Sequence, residues 1–139
     1  MMGLNVSAKG GRVNRLVKWM FRLLVNVFRR INLTNFHLYW PRTNVVKFSC
    51  RASRTVVLIA GRNNKVLVDD SASAYRVSIR IQGNNNTLVV EEVVTFLGEY
   101  TFLGDNNTIR IGRGTCFGGG GVMTHHGTTI SICANVLFF

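Results

Sequence analysis

The residues whose types could do chemistry in this 139-residue chain are two neighbouring histidines, His125 and His126, and a run of four glycines, Gly118, Gly119, Gly120 and Gly121. An imidazole titrates near neutrality, which suits it to take the proton from an attacking hydroxyl. A glycine run lets backbone approach a ligand closely. The plainer readings are a surface histidine pair and a tight or bulged corner. The run lacks the G-x-x-x-x-G-K-[ST] pattern of a phosphate-binding loop, and no helical pattern follows it. Asp69, Asp70, Glu91 and Glu92 fall at equivalent points of the sequence and read as solvated corners, not as two carboxyls facing each other across a cleft. Cys50, Cys116 and Cys133 are odd in number and match no disulfide or metal spacing, and Cys116 and Cys133 read as free thiols in a reducing compartment. With histidines only at 37, 125 and 126, no ligand quartet is visible and no metal is expected.

Two kinds of segment must position these groups. Residues 1–54 hold eleven Lys and Arg and no acid, whereas residues 55–139 hold six of each sign, so the whole net charge of +11 lies in the first segment. Within it, residues 12–31 have helical periodicity. Arg15, Lys18, Arg22, Asn26 and Arg29 share one side, and Val13, Leu16, Val17, Met20, Leu24, Val27 and Ile31 fall largely on the other. The run is too charged to span a bilayer and lacks the apolar core of a secretory signal. Such a helix suits either an anionic membrane surface or packing against a neighbour. Nucleic acid is the less favoured partner, because no zinc-finger or aromatic-rich RNA motif accompanies the charge. Pro41, after Trp40, marks a turn, and "NVVKFSC" is read as a first irregular strand.

From residue 55 the pattern is a repeat. Val66, Leu88, Ile109 and Ile130 form one apolar column at steps of 22, 21 and 21, and Val68, Val90, Ile111 and Ile132 form a second. Ala74, Phe96, Phe117 and Phe138 lie six residues beyond the second column; Ile59, Ile81, Phe102 and Met123 lie seven before the first. Apolar pairs separated by one residue are strand periodicity. The leucine-dense consensus of leucine-rich repeats is missing, and helical repeats are longer, so the period describes a parallel β-helix with one coil per repeat. "GRNNKVLV", "GNNNTLVV" and "GDNNTIRI" place Gly and Asn where the backbone must turn sharply. Stacked corners allow amide ladders, one through Asn64, Asn86 and Asn107 and another through Asn63, Asn85 and Asn106, with Thr128 and Thr129 taking over in the last coil.

The segments "IGRGTCFGG", "RIQGNNNTLVV", "FLGDNNTIRIGRGTCFGG" and "HHGTTISI" resemble the hexapeptide-repeat acyltransferases, and among them the bacterial O-acetyltransferases of polysaccharide and lipopolysaccharide synthesis. The resemblance covers about residues 55–139. It implies an all-β solenoid, a left-handed parallel β-helix over 55–139, which here follows the basic segment 1–54 with its amphipathic helix at about 12–31. It further implies a homotrimer, acetyl-CoA as donor, a sugar or polysaccharide hydroxyl as acceptor, and a cytoplasmic location that a basic helix would bring to the inner face of the membrane. A histidine acts as general base in that family, so His125 and His126 are the candidates here; the glycines at 118–121 are candidates for contact with the donor's pantetheine or the acceptor. The family's catalytic histidine, in a stretch resembling S-D-x-H, is expected beyond Phe139, so the chain reads as lacking that coil. The alternative is a non-catalytic, truncated or degenerate β-helix. The chain also has Ile132-Cys133 where the family has Ile-Gly at a corner.

Overall fold

The computed structural model describes Trp19, Met20, Leu23, residues 35–48 and residues 50–138. The chain divides into two compact units, Met1–Leu33 and Thr34–Phe139. In the first, Trp19, Met20 and Leu23 are helical and exposed; the rest of the helix expected over 12–31 lies outside the described residues.

The second unit is an all-β stack of parallel coils. Each coil contributes a four-residue strand to one face: β2 (Val45–Phe48), β5 (Lys65–Val68), β7 (Thr87–Val90), β9 (Thr108–Ile111) and β12 (Thr129–Ile132). The other sheet folds along its middle. The first halves of β6 (Ser73–Gln82) and β8 (Thr95–Leu103) stack with β3 (Arg51–Ser53), β10 (Cys116–Phe117) and β13 (Leu137–Phe138) as a second face. Their second halves stack with β1 (Asn35–Trp40), β4 (Thr55–Ala60) and β11 (Gly121–His125) as a third. Every pairing is parallel, so the cross-section is a triangle whose inward side chains meet along one axis.

The apolar columns are that axis. Val66, Leu88 and Ile109 are fully buried, as are Ile81, Phe96 and Phe102. Ala74, Phe96, Phe117 and Phe138 pair in register through successive coils, as do Val68, Val90, Ile111 and Ile132. A repeated inward residue must sit above its equivalent, because neighbouring strands lie only ~4.8 Å apart.

The solenoid begins earlier than residue 55. Strands β1, β2 and β3 already pair with the next coil, Asn35 with Thr55, Val45 with Lys65 and Arg51 with Ser73. Two of those steps are 20 residues, and the corner is Pro41-Arg42-Thr43-Asn44 in place of G-x-N-N, so the repeat was hidden there.

A second correction concerns Met123. In the third face Thr124, not Met123, continues the column of Ile59, Ile81 and Phe102; Met123 pairs with Thr101 and is 58% exposed. The corner before β11 is one residue longer than the equivalent point in β8. The next corner, residues 126–128, is one shorter than Gly104–Asn107. The slip is therefore confined to one strand, and a one-residue slip turns every side chain of that strand to the opposite face. Thr124 is 1% exposed and its Oγ1 has no hydrogen-bond partner. Replacing Thr124 by valine, which keeps the shape and removes the orphan hydroxyl, should raise stability by about 1 kcal/mol in urea titration. A destabilised T124V would show that the hydroxyl has a partner, such as a buried water.

One asparagine column is a continuous ladder, and it starts one coil before the repeat was legible. The Oδ1 of Asn44 accepts the backbone N–H and the Nδ2 of Asn64 at 2.9 and 3.1 Å; Asn64 does the same for Asn86 at 2.9 and 3.0 Å, and Asn86 for Asn107 at 2.9 and 2.9 Å. Asn64, Asn86 and Asn107 are completely buried. At the top, Thr128 joins through its backbone N–H to Asn107 Oδ1 at 3.0 Å, while its hydroxyl turns back to the His125 carbonyl.

Asn63, Asn85 and Asn106 do something else. Each has a positive φ, of 57°, 56° and 61°, which throws its side chain out to solvent, and no amide ladder joins them. They are the left-handed residues that turn the corner. Gly127, with φ 69°, fills this position in the last coil; Thr129 is already in β12. Gly83 precedes its corner at φ 146°, with the Gly104 carbonyl oxygen 2.0 Å from where a Cβ would stand. Cys133, where the family has glycine, is exposed and its φ is not positive, so a side chain fits.

Candidate active site

Both candidate groups flank or belong to β11. Gly121 opens the strand and His125 closes it, so they lie ~13 Å apart along extended backbone. Since Thr124 points into the core, His125 points outward; it is exposed, and no hydrogen bond among the described residues engages its imidazole.

His126 is held differently. It tops a column made by the variable residue of each corner phrase, Arg62, Asn84, Asp105 and His126. The backbone N–H of each of the first three is accepted by the side chain one coil above. Arg62 N–H donates to Asn84 Oδ1 at 2.9 Å, Asn84 N–H to Asp105 Oδ1 at 2.6 Å, and Asp105 N–H to His126 Nδ1 at 3.1 Å. The ring lies over Gly104, with imidazole atoms 2.4–2.5 Å from where a Cβ on that residue would be. A nitrogen that accepts a hydrogen bond carries no proton, so neutral His126 has its proton on Nε2. While this bond stands, Nε2 is a donor and cannot act as a general base. The pair is thereby divided: His125 has both nitrogens available, and His126 offers one N–H.

The glycine corner is exposed backbone. Gly119 and Gly120 have φ of 144° and 93°, and a Cβ on either would meet nothing within 4 Å. The Gly120 carbonyl accepts from Glu99 N–H at 3.0 Å and Gly118 N–H donates to Phe138 at 2.8 Å. No hydrogen bond among the described residues uses the N–H of Gly119 or Gly120, so both remain as donors for a ligand. The corner and His125 are too far apart to address one carbonyl, because base and oxyanion donors each act within ~3 Å of the reacting atoms.

The four carboxylates line an open groove of about 690 Å³ on the outer side of β2, β5 and β7, with Leu67 and Val89 as its floor. It contains neither histidine and none of the four glycines. Three of its four acids are tied up locally. Glu91 is bound by Arg110, with Nε at 2.7 Å, and by the backbone N–H of Arg113 at 3.0 Å. These bonds, the arginine side chain first, hold its carboxyl below the usual range. Arg113 reaches Glu92 at 3.6 Å, and Asp69 accepts from the hydroxyl and N–H of Ser71, which lowers its pKa as well. Nothing here brings a proton-sharing pair together. Burial raises the Cys50 thiol above its ordinary value, which makes it a poor nucleophile. Among the described residues no cluster of three or more His, Cys, Asp or Glu could hold a metal.

Neither a family model nor a curated protein matches the sequence. Among solved structures, the crystal structure of the polySia specific acetyltransferase NeuO superposes with a TM-score of 0.54, over 75% of this chain and 47% of that one, at 19% sequence identity. The chain shares the β-helix fold of NeuO. It spans about half the length of that protein, and the likeness at this identity is one of fold. The sequence resemblance therefore holds at the level of architecture. It rested on the corner phrases and inward columns, which are the parts of the sequence that build the coil.

Proposed function

We propose that the chain is an O-acetyltransferase, or the N-terminal part of one, that carries acetyl from acetyl-CoA to a sugar hydroxyl in surface polysaccharide synthesis. The supporting observation is a NeuO-like coil whose upper edge strand carries an outward, unengaged imidazole at His125. In the step, the sugar oxygen attacks the thioester carbonyl carbon, the C–S bond breaks, and the sugar proton passes to His125 and on to the leaving CoA thiolate. His126 supplies an N–H, and the open N–H groups of Gly119 and Gly120 suit the amide-bearing arm of the donor. A left-handed coil, assembled as a homotrimer, goes with this reading.

The test is acetyl-CoA turnover with and without sugar acceptors, followed by free thiol release. His125→Ala should lower turnover by at least ~100-fold, the low end of what a general base contributes. Full activity in H125A would place the base elsewhere. One observation favours a second reading, a non-catalytic β-helix: among the described residues no carboxylate or carbonyl orients the His125 ring. On that reading the purified chain neither binds nor turns over acetyl-CoA.

A further inference from the structure

The first coils present an aromatic and cationic surface that the proposed acetyl transfer does not use. On β1, at the lower edge of the third face, Leu38 is 38%, Tyr39 43% and Trp40 74% exposed. The two corners that bound this face carry stacked arginines. Arg42 lies below Arg62 at one corner, a step of 20 residues, and Arg54 lies below Arg76 at the other, a step of 22; all four are exposed. The Arg76 guanidinium lies 5.2 Å over the ring of Tyr75, itself 43% exposed. No acid occurs before Asp69, and the first two acids, Asp69 and Asp70, face Lys47 in the groove at the third corner, away from this patch.

We propose that this edge of the solenoid docks on an anionic phospholipid surface. Indole and phenol rings settle at the headgroup level of a bilayer, where one end of the ring is apolar and the other wet. Guanidinium groups bridge lipid phosphates through paired N–H donors. Cations flanking exposed aromatics, with no carboxylate between them, complement an anionic leaflet, and each contributes ~1 kcal/mol to attraction near its surface. The docked element is a sheet edge and its corners.

The chain has two tryptophans, Trp19 and Trp40. In the full-length Trp19→Phe protein, Trp40 fluorescence therefore reports on the patch alone. Vesicles of phosphatidylcholine mixed with phosphatidylglycerol should shift its emission to shorter wavelength, and brominated lipid should quench it; pure phosphatidylcholine should do neither. The doubly substituted Arg42→Gln, Arg54→Gln protein should partition about 30-fold more weakly, the loss of two contacts of ~1 kcal/mol each. Labelling the unmodified chain with 5-fluorotryptophan reads the same site without a substitution. An unchanged Trp40 signal while the protein still sediments with vesicles would overturn the proposal, since binding would then reside elsewhere in the chain. So would equal affinity for neutral vesicles, or a larger Trp40 shift with a soluble acidic polysaccharide or RNA than with lipid.

Discussion

Asn86→Ala should destabilise the protein by about 3 kcal/mol, while Asn85→Ala, one residue away, should cost about 1 kcal/mol. The two amides look alike in sequence but hold different places. Asn86 is completely buried. Its Oδ1 accepts two bonds from Asn107, and its Nδ2 donates to Asn64 Oδ1 and to the Gly104 carbonyl at 2.9 Å. Alanine would leave the buried N–H of Asn107 without an acceptor, and an unsatisfied buried group costs ~1–3 kcal/mol before the small cavity is added. Asn85 has only its backbone to contribute, at φ 56°, so Asn85→Gly should be close to neutral. Urea titration of the three variants reads the difference. Similar losses at 85 and 86 would mean that the corner is an ordinary polar turn and that the buried ladder contributes little.

Gly83→Ala should prevent the chain from folding, or cost more than ~4 kcal/mol, whereas Gly120→Ala should cost ~1–2 kcal/mol. Both glycines have a positive φ, 146° and 93°, so conformation alone would rank them together. The difference is the coil above. A Cβ at Gly83 would stand 2.0 Å from the Gly104 carbonyl oxygen and 2.5 Å from its carbon. Those atoms belong to backbone pinned by the Asn86 side chain and by the Gly104 N–H, which donates to Gln82 at 2.8 Å. A Cβ at Gly120 meets open space. Circular dichroism and soluble yield would separate them; a folded Gly83→Ala with little change in melting temperature would show that successive corners can spread apart.

How much was legible in the sequence follows from what each coil must repeat. Inward residues such as Leu88 and Ile109 recur because each is the floor of the next, and that constraint shows as a column. Asn64, Asn86 and Asn107 recur because each amide accepts from the residue above while its own N–H groups reach the oxygen below and a neighbouring backbone carbonyl. Asn44 escaped notice because its coil steps by 20 and its corner begins with Pro41, although the "NVV" that it opens matches the entry into the later strands. Thr124 escaped because one residue gained before β11 is lost after it, so the columns on either side keep their spacing. The acceptor column was hidden for a chemical reason. Asn84, Asp105 and His126 are different residues, yet each has an acceptor atom bonded directly to Cγ. That atom is what the N–H below requires, so the position looks variable while its function is constant. The orientation of His125 could not be read from sequence, because it depends on the slip.

That slip has a consequence for how such a scaffold can change. One residue moved from the His126 corner to the glycine corner reverses which side of β11 faces outward, bringing Met123 and His125 to the surface in place of Val122 and Thr124. The strands before and after it do not register the move. A paired insertion and deletion at two solvated corners thus works as a frameshift limited to five residues, by which a lineage could exchange the chemistry displayed on one rung and leave the ladder intact.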